Sequence, residues 1–146
     1  MTWKILAVGK PKLSFAAAGI DEYARRINHF AKINVRFIRP STPERESAIL
    51  LKESEGSWRV VLDEHGTQLT SHRFAAFIER WEFQGARNIG LIVGGASGHG
   101  SGTLRSADLL LCLSAMTLQH EFALLFALEQ IYRAYTILNK LPYHRG

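Results

Sequence analysis

The chain has 146 residues and a mass of 16.4 kDa, with 47% apolar and 21% charged residues. That describes one domain over residues 1–146, long enough to bury a core without covalent staples. A lone cysteine, Cys112, excludes a disulfide framework and any zinc site built on paired cysteines; no metal is expected. The apolar stretch before Lys10, Pro11 and Lys12 is too short for a secretion signal, and the runs 109–118 and 122–128 are too short to span a bilayer. A soluble cytoplasmic protein is expected.

The formal charge of +5 comes entirely from the first sixty residues. Arg25, Arg26, Lys32, Arg36 and Arg39 fall close together there, which suggests one basic face. Such a face is either a match for nucleic-acid phosphates or an ordinary solvated surface. There is no basic tail and no low-complexity segment, so a nucleic-acid site has to come from the folded surface.

Residues 3–8 form a short apolar run ended by Gly9, a buried first strand. Over 16–27, Ile20, Tyr23, Ala24 and Ile27 recur at helical spacing and put one stripe on the core. Residues 33–38 alternate at period two before Pro40, as a second strand does. Ser41-Thr42-Pro43-Glu44 is a helix start, carried to about Glu53 and stopped by Gly56. A third strand covers 59–63, with Glu64-His65-Gly66 as its end. Thr70-Ser71 opens a helix whose inner stripe is Phe74, Phe77, Ile78 and Trp81, closed by Gly85. The unbroken apolar run 88–93 reads as a strand covered on both faces. A fifth strand covers 109–113, and a long helix over about 120–138 leads into a short tail. Strands alternating with helices give an α/β fold with a mostly parallel sheet and helices on both faces. Ligands of such sheets lie beyond the carboxyl ends of the strands.

Two loops leave such ends. Gly94 to Gly102 holds five glycines in nine residues, which lets backbone approach a ligand closely, though it lacks the Gly-Lys-Ser/Thr of a phosphate loop. It is either a ligand loop or a flexible connection. Ser114 to Gln119 offers hydroxyls, an amide and apolar groups without formal charge. It suits a hydrogen-bonding heterocycle or a cation, and its hydroxyls equally suit caps on the last helix. In that helix, residues 122–128 are apolar on all sides, and each large side chain left in water forgoes about 1.5–3 kcal/mol. The sheet covers one side and a second copy of the chain is the simplest cover for the other, so a homodimer is expected.

Val93-Gly94-Gly95-Ala96-Ser97-Gly98, Leu113-Ser114-Ala115-Met116-Thr117 with His120, Glu129-Gln130-Ile131-Tyr132-Arg133-Ala134, and Pro142-Tyr143-His144 stand in the order and spacing of one family. Over essentially its whole length the chain resembles the ribosomal large-subunit pseudouridine N3-methyltransferases, RlmH, of the SPOUT superfamily. The resemblance implies a homodimer with a C-terminal trefoil knot, S-adenosylmethionine bound in that knot, and methylation of a pseudouridine N3 in large-subunit (23S-type) ribosomal RNA on the assembled ribosome. It places cofactor contacts on Leu62, Gly94, Gly95 and the run Leu113, Ser114, Ala115, Met116, Thr117 and Leu118. Catalytic candidates are Tyr143, His144 and Arg145 on the tail, which completes the partner subunit's site; a disordered tail is the alternative from the sequence itself. Arg25, Arg26 and Arg133 are candidate RNA contacts, although Arg133 and Glu129 are also spaced to pair with each other. Two positions depart from the family pattern. Gln119 replaces a common Pro, implying a looser cofactor loop, and Leu124 replaces a common Arg, implying a cation lost from the interface. The competing reading is a non-catalytic ribosome-binding assembly factor on the same scaffold.

Overall fold

A computed structural model describes residues 1–146. The elements run β1 (Thr2–Val8), α1 (Ser14–Ile27), β2 (Lys32–Ile38), α2 (Pro43–Glu53), β3 (Trp58–Gln68), α3 (Ser71–Phe83), β4 (Asn88–Val93), α4 (Ser101–Arg105), β5 (Leu109–Cys112) and α5 (His120–Leu138). The five strands form one sheet in the order β2-β1-β4-β3-β5, with every pairing parallel. β4 is therefore the central strand, and its uninterrupted apolar sequence follows from burial on both faces: Ile89, Leu91, Ile92 and Val93 are all buried.

The period-two alternation of β1 sorts the two cores. Trp3, Ile5 and Ala7 face the larger one, covered by α1, α3 and α5, while Leu6 and Val8 face the smaller one with Leu50 of α2 and Leu104 of α4 beside it. The starts of α2 and α3 are as expected from sequence. Thr42 and Thr70 cap the free backbone amides of Arg45 and Arg73, and Pro43 occupies the first turn of α2. Gly56 and Gly85 take φ of +76° and +89° just beyond the helices they close.

β3 does not end at Asp63. It bulges and runs on to Gln68, so that Leu62 and Thr67 both pair with Leu111. Gly66 is thus not a terminator: a Cβ there would lie 2.6 Å from the Leu110 carbonyl oxygen, and glycine is what lets the returning strand lie against β5. The glycine-rich segment is not all loop either, because α4 forms within it. Buried Thr103 hydrogen-bonds Ser47 of α2, and the Ser47 hydroxyl accepts from the Thr103 amide at 2.8 Å.

The arginines of the first sixty residues do not form one face. Arg25 and Arg26 lie on α1, both paired with Glu22. Arg36, on the opposite side of the sheet because it alternates with Val35 and Phe37, pairs with Glu53 of α2. No helix is long and apolar enough to cross a membrane.

Candidate functional site

The carboxyl ends of β3, β4 and β5 surround a cavity of about 360 Å³. Its walls are the bulge of β3 from Leu62 to Glu64, the glycine loop from Gly94 to His99, and the β5–α5 connection, closed by His120 and Ala123 at the start of α5. Of the residues expected from the resemblance to hold the cofactor, Leu62, Gly94, Gly95, Leu113, Ser114, Met116, Thr117 and Leu118 all line it. Ala115 does not; it is exposed at the loop's outer turn, which the Ser114 hydroxyl shapes by accepting from the Met116 amide at 3.0 Å. The lining contains the carboxylates of Asp63 and Glu64 and no lysine or arginine. A cation is therefore favoured inside and a phosphate is not.

Gln119 stands where this loop meets α5 and is tied to that helix. Its side-chain oxygen accepts from the amides of Glu121 and Phe122 at 2.7 and 3.2 Å, making it the cap of α5 in place of Ser114 or Thr117. The next carboxylate, Glu121, is buried and accepts from the Lys12 and Leu13 amides at 2.8 and 3.0 Å. Those bonds hold its carboxyl below the usual range. The start of α5, and with it the cofactor loop, is thereby tied to the turn after β1. Leu124 is 3% exposed in the larger core, so no cation is missing from a surface at that position.

His99 joins the site without any signal in the sequence, where it is a lone histidine among glycines. Its Nε2 donates to the Leu62 carbonyl at 3.0 Å, and its ring lies over Gly94 so closely that a Cβ there would meet Cε1 at 3.0 Å. Burial pushes its pKa down, partly opposed by that hydrogen bond and by Asp63 and Glu46.

The tail folds back on α1 and α5 of its own chain and does not enter that chain's first cavity. Tyr143 donates to Glu129 Oε1 at 3.0 Å, so its contact with Tyr23 at 3.1 Å has Tyr23 as donor. Burial and these bonds push the Tyr143 hydroxyl pKa well up. Arg133 sits over the Tyr143 ring, donates twice to Glu129 Oε1 and donates from Nη1 to His144 Nδ1 at 3.0 Å. Because arginine only donates, His144 Nδ1 is the acceptor in this contact. Its ring packs edge-on against His72, while Arg145 is exposed. The tail thus borders a second cavity of about 480 Å³ that includes Glu129, Gln130 and Ser71 and shares Leu111 to Ser114 and Leu118 with the first. The connection after β5 is one wall with a cavity on each side.

The remaining candidates divide. Arg133 belongs to the tail's seat rather than to open surface, and Arg26 stacks on Tyr23 and Tyr132, while Arg25 is the most exposed of the three. An apolar ridge of Phe15, Phe122 and Phe126 stands on α1 and α5, with Phe15 59% and Phe126 45% exposed. No three His, Cys, Asp or Glu side chains are grouped to hold a metal ion.

Comparison with known proteins agrees with this architecture. The model of the family described as "Predicted SPOUT methyltransferase" matches residues 1–144. The chain is 41% identical over 145 residues to Ribosomal RNA large subunit methyltransferase H of Thermus thermophilus, covering 99% of each chain. It is 34% identical to the protein of the same name from Deinococcus radiodurans over the full length of both. Among solved structures, a methylase family protein from Neisseria gonorrhoeae superposes with a TM-score of 0.60 at 12% identity, over 99% of this chain and 86% of that one, a likeness of fold. With its parallel sheet, its cavity at the ends of β3 to β5 and full-length relatives at this identity, the chain belongs to the SPOUT methyltransferase family, beside the members named ribosomal RNA large subunit methyltransferase H.

Proposed function

We propose that the chain is an S-adenosylmethionine-dependent methyltransferase acting on N3 of a pseudouridine in large-subunit ribosomal RNA, within the assembled ribosome and in the cytoplasm. The observation that carries this reading is the lining of the first cavity. It joins the expected cofactor residues into one site whose only formal charges are the acids Asp63 and Glu64, which suits a sulfonium and an uncharged heterocycle. The C-terminal trefoil knot is part of the same reading. In its support, β5 lies at the sheet edge beyond β3, while α5 returns to pack on α1, towards the other end of the sheet.

S-adenosylmethionine, which Leu62, Gly94, Gly95 and the β5–α5 connection would hold, would supply an electrophilic methyl to N3, with its sulfur left as a neutral thioether and the N3 proton passed to a base. The protein's task is mainly alignment, with a proton acceptor beside the ring. His144 is the acceptor we assign, Arg145 the group that offsets negative charge on the ring or a phosphate, and Tyr143 a surface for a base to stack on. None of the three lines the first cavity of its own chain, and the lone pair of His144 Nδ1 is taken by Arg133. This supports a homodimer in which the tail leaves its seat and completes the partner subunit's site. The exposed Phe15–Phe122–Phe126 ridge supports the same assembly. Arg25, whose side chain is 66% exposed although paired with Glu22, is the candidate RNA contact on α1.

The test is transfer of labelled methyl from S-adenosylmethionine to ribosomes whose target uridine is already isomerised. Deleting residues 143–146 abolishes transfer and leaves cofactor affinity nearly unchanged. No transfer to such ribosomes overturns the reading, and a chain that binds ribosomes but gives no heat with the cofactor in calorimetry is an assembly factor instead.

A further inference from the structure

Leu62 and Gly94 are the two cofactor positions outside the β5–α5 connection that one side chain touches together. His99 donates to the Leu62 carbonyl at 3.0 Å and lays its flat ring against Gly94, with Cε1, Nδ1 and Nε2 at 3.0–3.2 Å from where a Cβ would stand. A ligand resting on both residues needs the space the imidazole fills. The features that hold His99 there are an N–H aimed at a carbonyl and a planar aromatic ring on a glycine. Adenine offers the same pair, through its exocyclic amine and its purine face. We infer that His99 is a stand-in for the adenine of the cofactor, occupying its place in the cofactor-free protein and swinging out when the cofactor enters. This rests on the cofactor reading above.

The glycine loop explains how the exchange is possible. His99 follows Gly98, at φ +75°, so the residue that has to move is preceded by a position of high backbone freedom, while Gly100 behind it stays anchored against the Pro43 carbonyl at the start of α4. Gly94 explains why the stand-in fits at all, since any side chain there would collide with the ring. The groups facing the imidazole are Asp63 on the β3 bulge and Glu46 on α2, with Glu64 and His120 elsewhere on the cavity wall. In the cofactor-free protein, burial disfavours the charged imidazole and lowers its pKa; released to solvent, it regains the ordinary value near 6.5. The bound state therefore holds more protons than the free one, and binding strengthens as pH falls through that value.

Calorimetry with S-adenosylhomocysteine on wild type and His99→Ala tests this. Removing the stand-in removes the cost of displacing it, so His99→Ala binds at least about threefold more tightly at pH 7.5. At pH 6, wild type takes up protons on binding and the variant does not, read from heats in buffers of different ionisation enthalpy. Should the loop of the variant rearrange, wild type alone still decides the matter. Its His99 ring signal, followed by NMR, moves to solvent-exposed values and titrates near 6.5 once the ligand is bound. Weaker or unchanged affinity in His99→Ala, or a ring that stays protected in the complex, overturns the inference while leaving the cofactor site standing. No binding to either protein overturns the cofactor reading and this inference together.

Discussion

Replacing Gly66 by alanine tests the course of β3. Gly66 has no left-handed φ, so alanine can adopt its backbone and space alone decides the outcome. The new Cβ would stand 2.6 Å from the Leu110 oxygen, 2.7 Å from the Leu110 carbon and 2.8 Å from the Leu111 carbon. Non-bonded carbon contacts are optimal at about 3.5–4.0 Å, so the methyl intrudes on three backbone atoms at once. No side chain can rotate away; relief requires parting β3 from β5. Two effects oppose one another. Stiffening the unfolded chain gains about 0.4–1 kcal/mol, whereas overpacking costs about 1–3 kcal/mol, and a collision with backbone belongs at the upper end. The expected net loss is about 2 kcal/mol, which at this chain length lowers Tm by about 4–8 °C. Urea unfolding followed by circular dichroism, with the m-value unchanged, measures it. Cofactor affinity falls as well, since Leu111 to Ser114 walls the first cavity. A Gly66→Ala protein within about 0.5 kcal/mol of wild type refutes the close return of the bulged strand onto β5.

Three further outcomes are expected. Tyr135→Phe leaves the indole N–H of fully buried Trp3 without its acceptor at 2.9 Å and Glu82 without its donor, at a cost of about 1–3 kcal/mol; an unfolding midpoint equal to wild type contradicts this. Glu121→Gln weakens the tie between α5 and the turn after β1. Because the folded carboxyl titrates below its unfolded value, the stability it contributes is full above about pH 4.3 and disappears as pH falls through the lowered folded value, so the midpoint difference between wild type and variant shrinks in acid. A difference independent of pH from 7 to 3 speaks against the assigned hydrogen bonds. If the proposed dimer forms through the exposed aromatic ridge, Phe126→Asp places a charge there and gives a monomer in light scattering after gel filtration where wild type is dimeric; a monomeric wild type refutes the dimer, and a variant that remains dimeric moves the interface elsewhere.

The central elements are legible because their signals are local. The apolar run of β4, the Thr-capped starts of α2 and α3, and the 19-residue α5 are each written in periodicity or in one capping side chain. The bulge of β3 is not, because Glu64-His65-Gly66 has the composition of a turn and only the proximity of Leu110 makes it strand. Five-residue α4 is hidden among glycines, and its place depends on Ser47, a contact 56 residues away along the chain. The scattered basic residues look like one face because sequence distance says nothing about the side of the sheet; β2 alternation sends Arg36 away from α1. In the candidate site, both loops are visible as the glycine run and the uncharged turn. His99 and the seat of the tail on Glu129 and Arg133 are not, since each depends on a partner far along the chain.

The strand order has a bearing on how the chain matures during synthesis. β4, at the middle of the sheet, is fourth to leave the ribosome, so β1 with β2 on one side and β3 on the other wait as separate pieces with unsatisfied backbone edges until residue 93 is available. Almost all pairing is between segments distant in sequence, which makes closure slow and leaves the early pieces open to mispairing. A nascent chain halted near residue 87 therefore lacks the strand that joins β1 to β3 and is expected to expose unpaired backbone edges.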